Sequence, residues 1–199
     1  MPQGTVIVAN HYQNENCHPD GKIKVGIAAG ADWRDARLNN AKRLFAAART
    51  AGVPIVHVRL AVDPDFRGVP VNTPLIEEWI RLGAWREGTW GVEFIDGLGP
   101  EGNEPVVTHT RNSGFHNSTL PEVLLALNAS HLICCGVSTA YTVEGTVRHA
   151  TDIGYRVTVA ADACSTATEA QHENALTAMQ ALAAIRTVDE IAASFETGA

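Results

Sequence analysis

Short, nearly continuous runs of branched apolar residues recur along this chain, and a stretch with helical spacing follows most of them. The runs are "TVIVAN" (5–10), "PIVHVRLAV" (54–62), "EPVVTHT" (104–110), "HLICCGV" (131–137) and "RVTVAADA" (156–163). A strand with one wet face alternates apolar and polar residues; a strand apolar at nearly every position is buried on both faces. Such strands need helices above and below them. Residues 32–52 supply one: Leu38, Ala41, Leu44, Phe45 and Ala48 repeat every three or four positions, with Asp32 as N-cap and Gly52 as stop. Further helices are read at 74–85, at 120–129 with Pro at the first turn, and at 138–153 ending before Gly154. Another spans 168–185, opened by a Thr168/Gln171 capping box. Residues 63–73 read as loop and the surroundings of Trp90 as irregular, and a short piece, "RTVDEIAASF", closes the chain. The expected architecture is one α/β domain over residues 1–199, a doubly wound parallel sheet with helices on both faces.

Composition narrows the partners. Hydrophobic residues make up 45% of the 199 residues and charged residues 19%, as in a folded globule. The net charge of −7 disfavours nucleic acid or an anionic membrane as partner. No apolar run approaches the length of a membrane span, and "MPQGTVIVANHYQNE" lacks the basic start of a signal peptide, so a cytoplasmic location is expected. Cys17, Cys134, Cys135 and Cys164 show no metal-binding spacing and read as reduced thiols that fill space.

In a doubly wound sheet, ligands bind beyond the carboxyl ends of strands. The residues there are Asn10-His11-Tyr12, Thr108-His109-Thr110, and Ser138 to Thr142. In this setting "YQNENCHPDG", "SGFHNSTL" and above all "GVSTAYTVEGTVRHATDIGYRVTVAADAC" resemble the isochorismatase-like superfamily, the cysteine hydrolases. The resemblance spans nearly the whole chain. It implies a six-stranded parallel sheet in a Rossmann-like three-layer fold, a homodimer or homotetramer, and a non-proline cis peptide at Val137–Ser138. It also implies a triad of Asp, Lys and Cys. Carried over, the Asp falls on His11, the Lys on His109 and the Cys on Thr142. The chain's three lysines, Lys22, Lys24 and Lys42, all lie far from position 109 in the sequence.

Thr142 bears a hydroxyl that needs a strong base to become a nucleophile. His11 titrates near neutrality and suits that base, or a base for water; His109 suits an acid or a charge stabiliser. Expected substrate contacts are Tyr12, Glu15, Arg111, Phe115, Val137 and Ser138. Trp79, Trp85, Trp90 and Phe115 either wall an apolar pocket, form an oligomer interface or pack in the core. Two histidines fall short of the usual three zinc ligands, and neither metal nor cofactor is expected. The leading expectation is an enzyme acting on a small carbonyl-containing or aromatic molecule by His-assisted acid–base chemistry, of hydrolase or lyase type. The alternatives are a non-catalytic ligand-binding or assembly protein, and an ordinary cysteine amidohydrolase.

Overall fold

A computed structural model describes residues 4–25 and 33–196. Six parallel strands form one sheet: β1 (Thr5–Asn10), β2 (Ile55–Leu60), β3 (Val106–His109), β4 (His131–Val137), β5 (Arg156–Ser165) and β6 (Ala184–Arg186), in the order β3-β2-β1-β4-β5-β6. The winding runs outward from β1 to β3, then returns to lay β4 on the other side of β1. The carboxyl ends of β1 and β4 therefore flank the reversal, where a crevice opens. Strand β1 is buried along its whole length, as its unbroken apolar run requires. Edge strand β3 alternates instead, with Val106 and Thr108 outward and Val107 and His109 inward.

The helices are α1 (Asn14–Cys17), α2 (Arg34–Thr50), α3 (Pro74–Leu82), α4 (Leu120–Ala126), α5 (Glu144–Asp152), α6 (Glu169–Met179) and α7 (Val188–Glu196). Helix α2 buries the stripe read from its spacing, Leu38, Ala41, Leu44, Phe45 and Ala48. Its expected cap, Asp32, lies outside the described residues. Among the described residues, no helix is long and apolar enough to cross a membrane. The main core lies on both faces of the sheet. A smaller cluster, with Leu60, Ile76, Trp79, Trp85 and Val92, gathers beyond the end of β2.

Two expectations are corrected. Residues 168–185 are not one helix: α6 stops at Met179, and Ala184–Arg186 pair with Thr158–Ala160 as β6. The Ala- and Leu-rich run has helical propensity, but pairing with an open sheet edge outweighs it. Helix 74–85 ends at Leu82, because Gly83 turns left-handed (φ 60°) and carries Ala84 and Trp85 back toward the sheet. Strand β2 separates β1 from β3. The 138–153 helix opens with a π turn over Thr139–Val143, and Val137–Ser138 is a cis peptide.

Candidate active site

Two backbone features shape the floor of the crevice. At Gly136 (φ 142°) a Cβ would stand 2.2 Å from the carbonyl oxygen of Asn10, so β1 and β4 approach at a distance that only glycine permits. Beside it, the Asn10 side-chain amide donates to the carbonyls of Val8 (3.2 Å) and Cys135 (3.1 Å), tying the two strand ends together. The next residue, His11, has a left-handed backbone (φ 52°), and its N–H donates to Val58 O at 2.9 Å. That turn takes His11 out of the strand line and toward β3.

His109, the last residue of β3, meets it there. The two Nε2 atoms are in very short contact, and Thr142 Oγ1 lies 3.5 Å from the same His11 nitrogen. His11, His109 and Thr142 are 4%, 1% and 2% exposed. The protons can be assigned from the partners. His109 Nδ1 is 3.0 Å from the carbonyl oxygen of Ser113, which only accepts, so Nδ1 carries hydrogen and Nε2 of the neutral ring holds the lone pair. His11 Nε2 then supplies the proton of the shared bond, and the lone pair left on His11 is at Nδ1.

Burial is the main cause that holds both rings neutral. It pushes His11 well below the ordinary histidine value, with repulsion from His109 adding to the effect. It lowers His109 to about 4; the Ser113 bond opposes this, while the charges of His116 and Arg111 reinforce it.

His11 and Thr142 face an inner chamber of about 30 Å³, room for roughly two water molecules. Among the described residues its lining holds no Asp, Glu, Lys, Arg or Cys. Val137 and Ser138 line it, as the sequence suggested. Asn16, Asn112 and Tyr141 line it too, and sequence reasoning missed them. Asn16 donates to Val137 O at 2.9 Å from the short helix α1, which no periodicity marks. The indole N–H groups of Trp79 and Trp85, both lining residues, are buried with no hydrogen-bond partner among the described residues. A larger cavity of about 580 Å³ adjoins it, sharing Leu75, Trp79 and Asn112 and containing Arg111, His116 and His149.

Three expected substrate contacts line neither cavity. Tyr12 is buried, with its hydroxyl donating to Ala163 O at 2.6 Å and its ring edge-on to Phe45, so it belongs to the core. Glu15 is 2% exposed; its carboxylate accepts from the backbone N–H of Lys22 (3.3 Å) and of Trp85 (3.5 Å) and packs on Gly91, which holds three loops together. Phe115 stacks between His149 and Tyr155. Trp90 is half exposed against His18, away from the chamber. The four cysteines are free and buried. Burial raises every one of their pKa values, that of Cys135 to about 12, and none lines the chamber. The three-ligand cluster Glu169, His172 and Glu173 lies on α6, outside both cavities.

Comparison with known proteins places this arrangement. Residues 5–190 match the model of the isochorismatase domain. The ureidoacrylate amidohydrolase RutB of Agrobacterium fabrum is 28% identical over 170 residues, covering 77% of this chain and 72% of that protein. A cysteine hydrolase from Pseudomonas syringae pv. phaseolicola superposes with a TM-score of 0.87 at 23% identity, covering 99% of this chain and 94% of the other, which shows a shared fold. An isochorismatase from Pseudomonas putida is 27% identical with a TM-score of 0.73, over 94% and 90% of the two chains. With a match across nearly its whole length and the same six-stranded sheet, the chain belongs to the isochorismatase family.

Proposed function

We propose that the chain is a hydrolase of small amide- or ureide-type carbonyl compounds that uses water and the His11–His109 pair in place of a cysteine nucleophile. The observation that carries this reading is the short His11–His109 contact, with Thr142 beside the same nitrogen, in a chamber that no thiol lines. The amidohydrolase name borne by the relative from Agrobacterium fabrum supports the reaction class.

In this mechanism a water in the chamber attacks the carbonyl carbon and gives its proton to the lone pair on His11 Nδ1. His11 passes its Nε2 proton to His109, so positive charge comes to rest on His109, whose Nδ1–H is held by Ser113 O. The leaving nitrogen recovers a proton from the pair as the C–N bond breaks. Thr142 orients the water or the substrate oxygen. With His11 Nε2 already committed as a donor, that nitrogen cannot also take the threonine's proton, which disfavours Thr142 as nucleophile.

The test measures amine or ammonia release from a panel of small amides and ureides, with ¹⁸O-labelled water and mass spectrometry of the protein. Label in the acid product with no adduct on the chain is the expected result. A trapped adduct on Thr142, or inactivation that tracks alkylation of Cys17 or Cys135, overturns it. If nothing is turned over and His11→Ala changes only ligand affinity, the chain is a binding protein. A homodimer or homotetramer is part of the same proposal, and light scattering checks it.

A further inference from the structure

The inner chamber and the outer cavity differ in one respect that bears on what enters them. The inner chamber carries no formal charge among its described lining residues, with both histidines held neutral there or beside it. An ionised group pushed into it would lose its water and gain no opposite charge, which is heavily unfavourable. The outer cavity is the reverse. Arg111, His116 and His149 line it, and among its described lining residues there is no Asp or Glu, in a chain with 22 acidic and 15 basic residues. Arg111 is half-buried and hydrogen-bonds only to its neighbour Thr110, at O (2.6 Å) and Oγ1 (3.3 Å), and among the described residues it makes no ion pair. The cavity it lines adjoins the inner chamber through Leu75, Trp79 and Asn112, on the approach to the His11–His109 pair.

Trp79 joins the two spaces. It lines both and is 5% exposed. Trp85 also lines the inner chamber.

We propose that the outer cavity is a carboxylate subsite built on Arg111: the substrate has two ends, an uncharged acceptor head that passes Trp79 into the inner chamber and a carboxylate that stays outside at Arg111. One permanent cation matches one negative charge, and the planar guanidinium suits a carboxylate's two oxygens. A phosphate dianion would leave excess charge in a cavity with no second permanent cation among its described lining residues. Trp79, which lines both spaces, is the side chain that the head passes at the neck. This assignment rests on the reading of the inner chamber as the reacting site.

The experiment titrates the full chain with malonamate, succinamate and glutaramate, each against its neutral diamide, following tryptophan fluorescence. At least one acid should bind ten-fold or more tightly than its diamide. Arg111→Gln should reduce that ratio to about two-fold or less, with most of the loss on the acid, and Arg111→Lys should retain part of the preference. Circular dichroism verifies that the variants are folded. His11→Ala should keep the preference, since His11 acts at the other end. If no acid is preferred, or none binds, or the preference survives in Arg111→Gln, the subsite is overturned. An Arg111-dependent preference in a protein that turns nothing over leaves the subsite standing and removes hydrolysis instead; turnover without the preference does the opposite.

Discussion

At Thr142 a hydroxyl occupies the first turn after β4, 3.5 Å from an imidazole nitrogen that is already donating elsewhere. A hydroxyl that only positions its neighbour is worth about one hydrogen bond, so Thr142→Val should lower kcat/KM roughly tenfold. In the proposed mechanism His11 carries the proton transfer, so His11→Ala should lower it by roughly 10²–10⁴-fold. Steady-state kinetics on the same substrate compares them, and equal losses would make the threonine the nucleophile. The thiols give a second prediction at this scale. Cys135 lies in the sheet with its pKa pushed up to about 12, and Cys17 is buried with its thiol facing the carbonyl of His11, so little thiolate exists at neutral pH. Iodoacetamide at pH 7.5 should leave activity largely intact, as a time course of residual activity against modified thiol would show.

The strand ends are the elements that hold the site in shape, and Gly136 is their weak point. A Cβ here would meet the Asn10 backbone at 2.2 Å, and the φ of 142° is strained for any L residue. Gly136→Ala should destabilise the fold on the order of 3 kcal/mol and drive β1 and β4 apart where His11 departs, visible as a lower urea midpoint. Helix α3 has a milder dependence. Thr73 caps it, with Oγ1 accepting from Ile76 N at 3.3 Å, and the helix carries Trp79 to the neck between the cavities. Thr73→Ala should cost about 1 kcal/mol and raise the exposure of Trp79, read as a red-shifted emission.

Across the whole molecule, buried neutral histidines and one buried carboxylate network set the response to acid. His109 has a folded pKa of about 4 against an ordinary 6.5, so between those values the unfolded chain binds more protons than the folded one. Stability is therefore full above pH 6.5 and falls as the pH drops toward 4, by on the order of 3 kcal/mol for this group. Glu104 acts in a lower window. Burial raises its pKa, but bidentate Arg49 and the N–H of His57 outweigh that and hold it at about 2. Its contribution is present above about pH 4.5 and is lost as the pH falls through 2. Urea midpoints from pH 8 to 3 should decline from pH 6.5 downward, and His109→Asn should flatten the part between 6.5 and 4. Because the proposed base works unprotonated and burial holds its pKa well below 6.5, kcat/KM should be level from pH 6.5 to 8 and fall only in more acidic solution.

The sequence by itself determined the sheet, most of the helices and the family, because those follow from local pattern: β1 and β4 are apolar throughout, α2 repeats every three or four residues, and the block from Gly136 to Cys164 is one continuous signature. It also marked His11, His109 and Thr142, since each ends a strand or begins a turn in chain order. Tertiary structure alone decided what those residues meet. The left-handed turn at His11 brings it onto His109 although β2 lies between their strands, and no spacing in the chain encodes a contact across 98 positions. Three-dimensional packing likewise sent Tyr12 and Phe115 to the core, spent Glu15 on loop backbone, and brought Asn16 to the chamber wall. It also turned residues 184–186 from an apparent helix end into β6, because an open sheet edge offers backbone hydrogen bonds that propensity cannot anticipate.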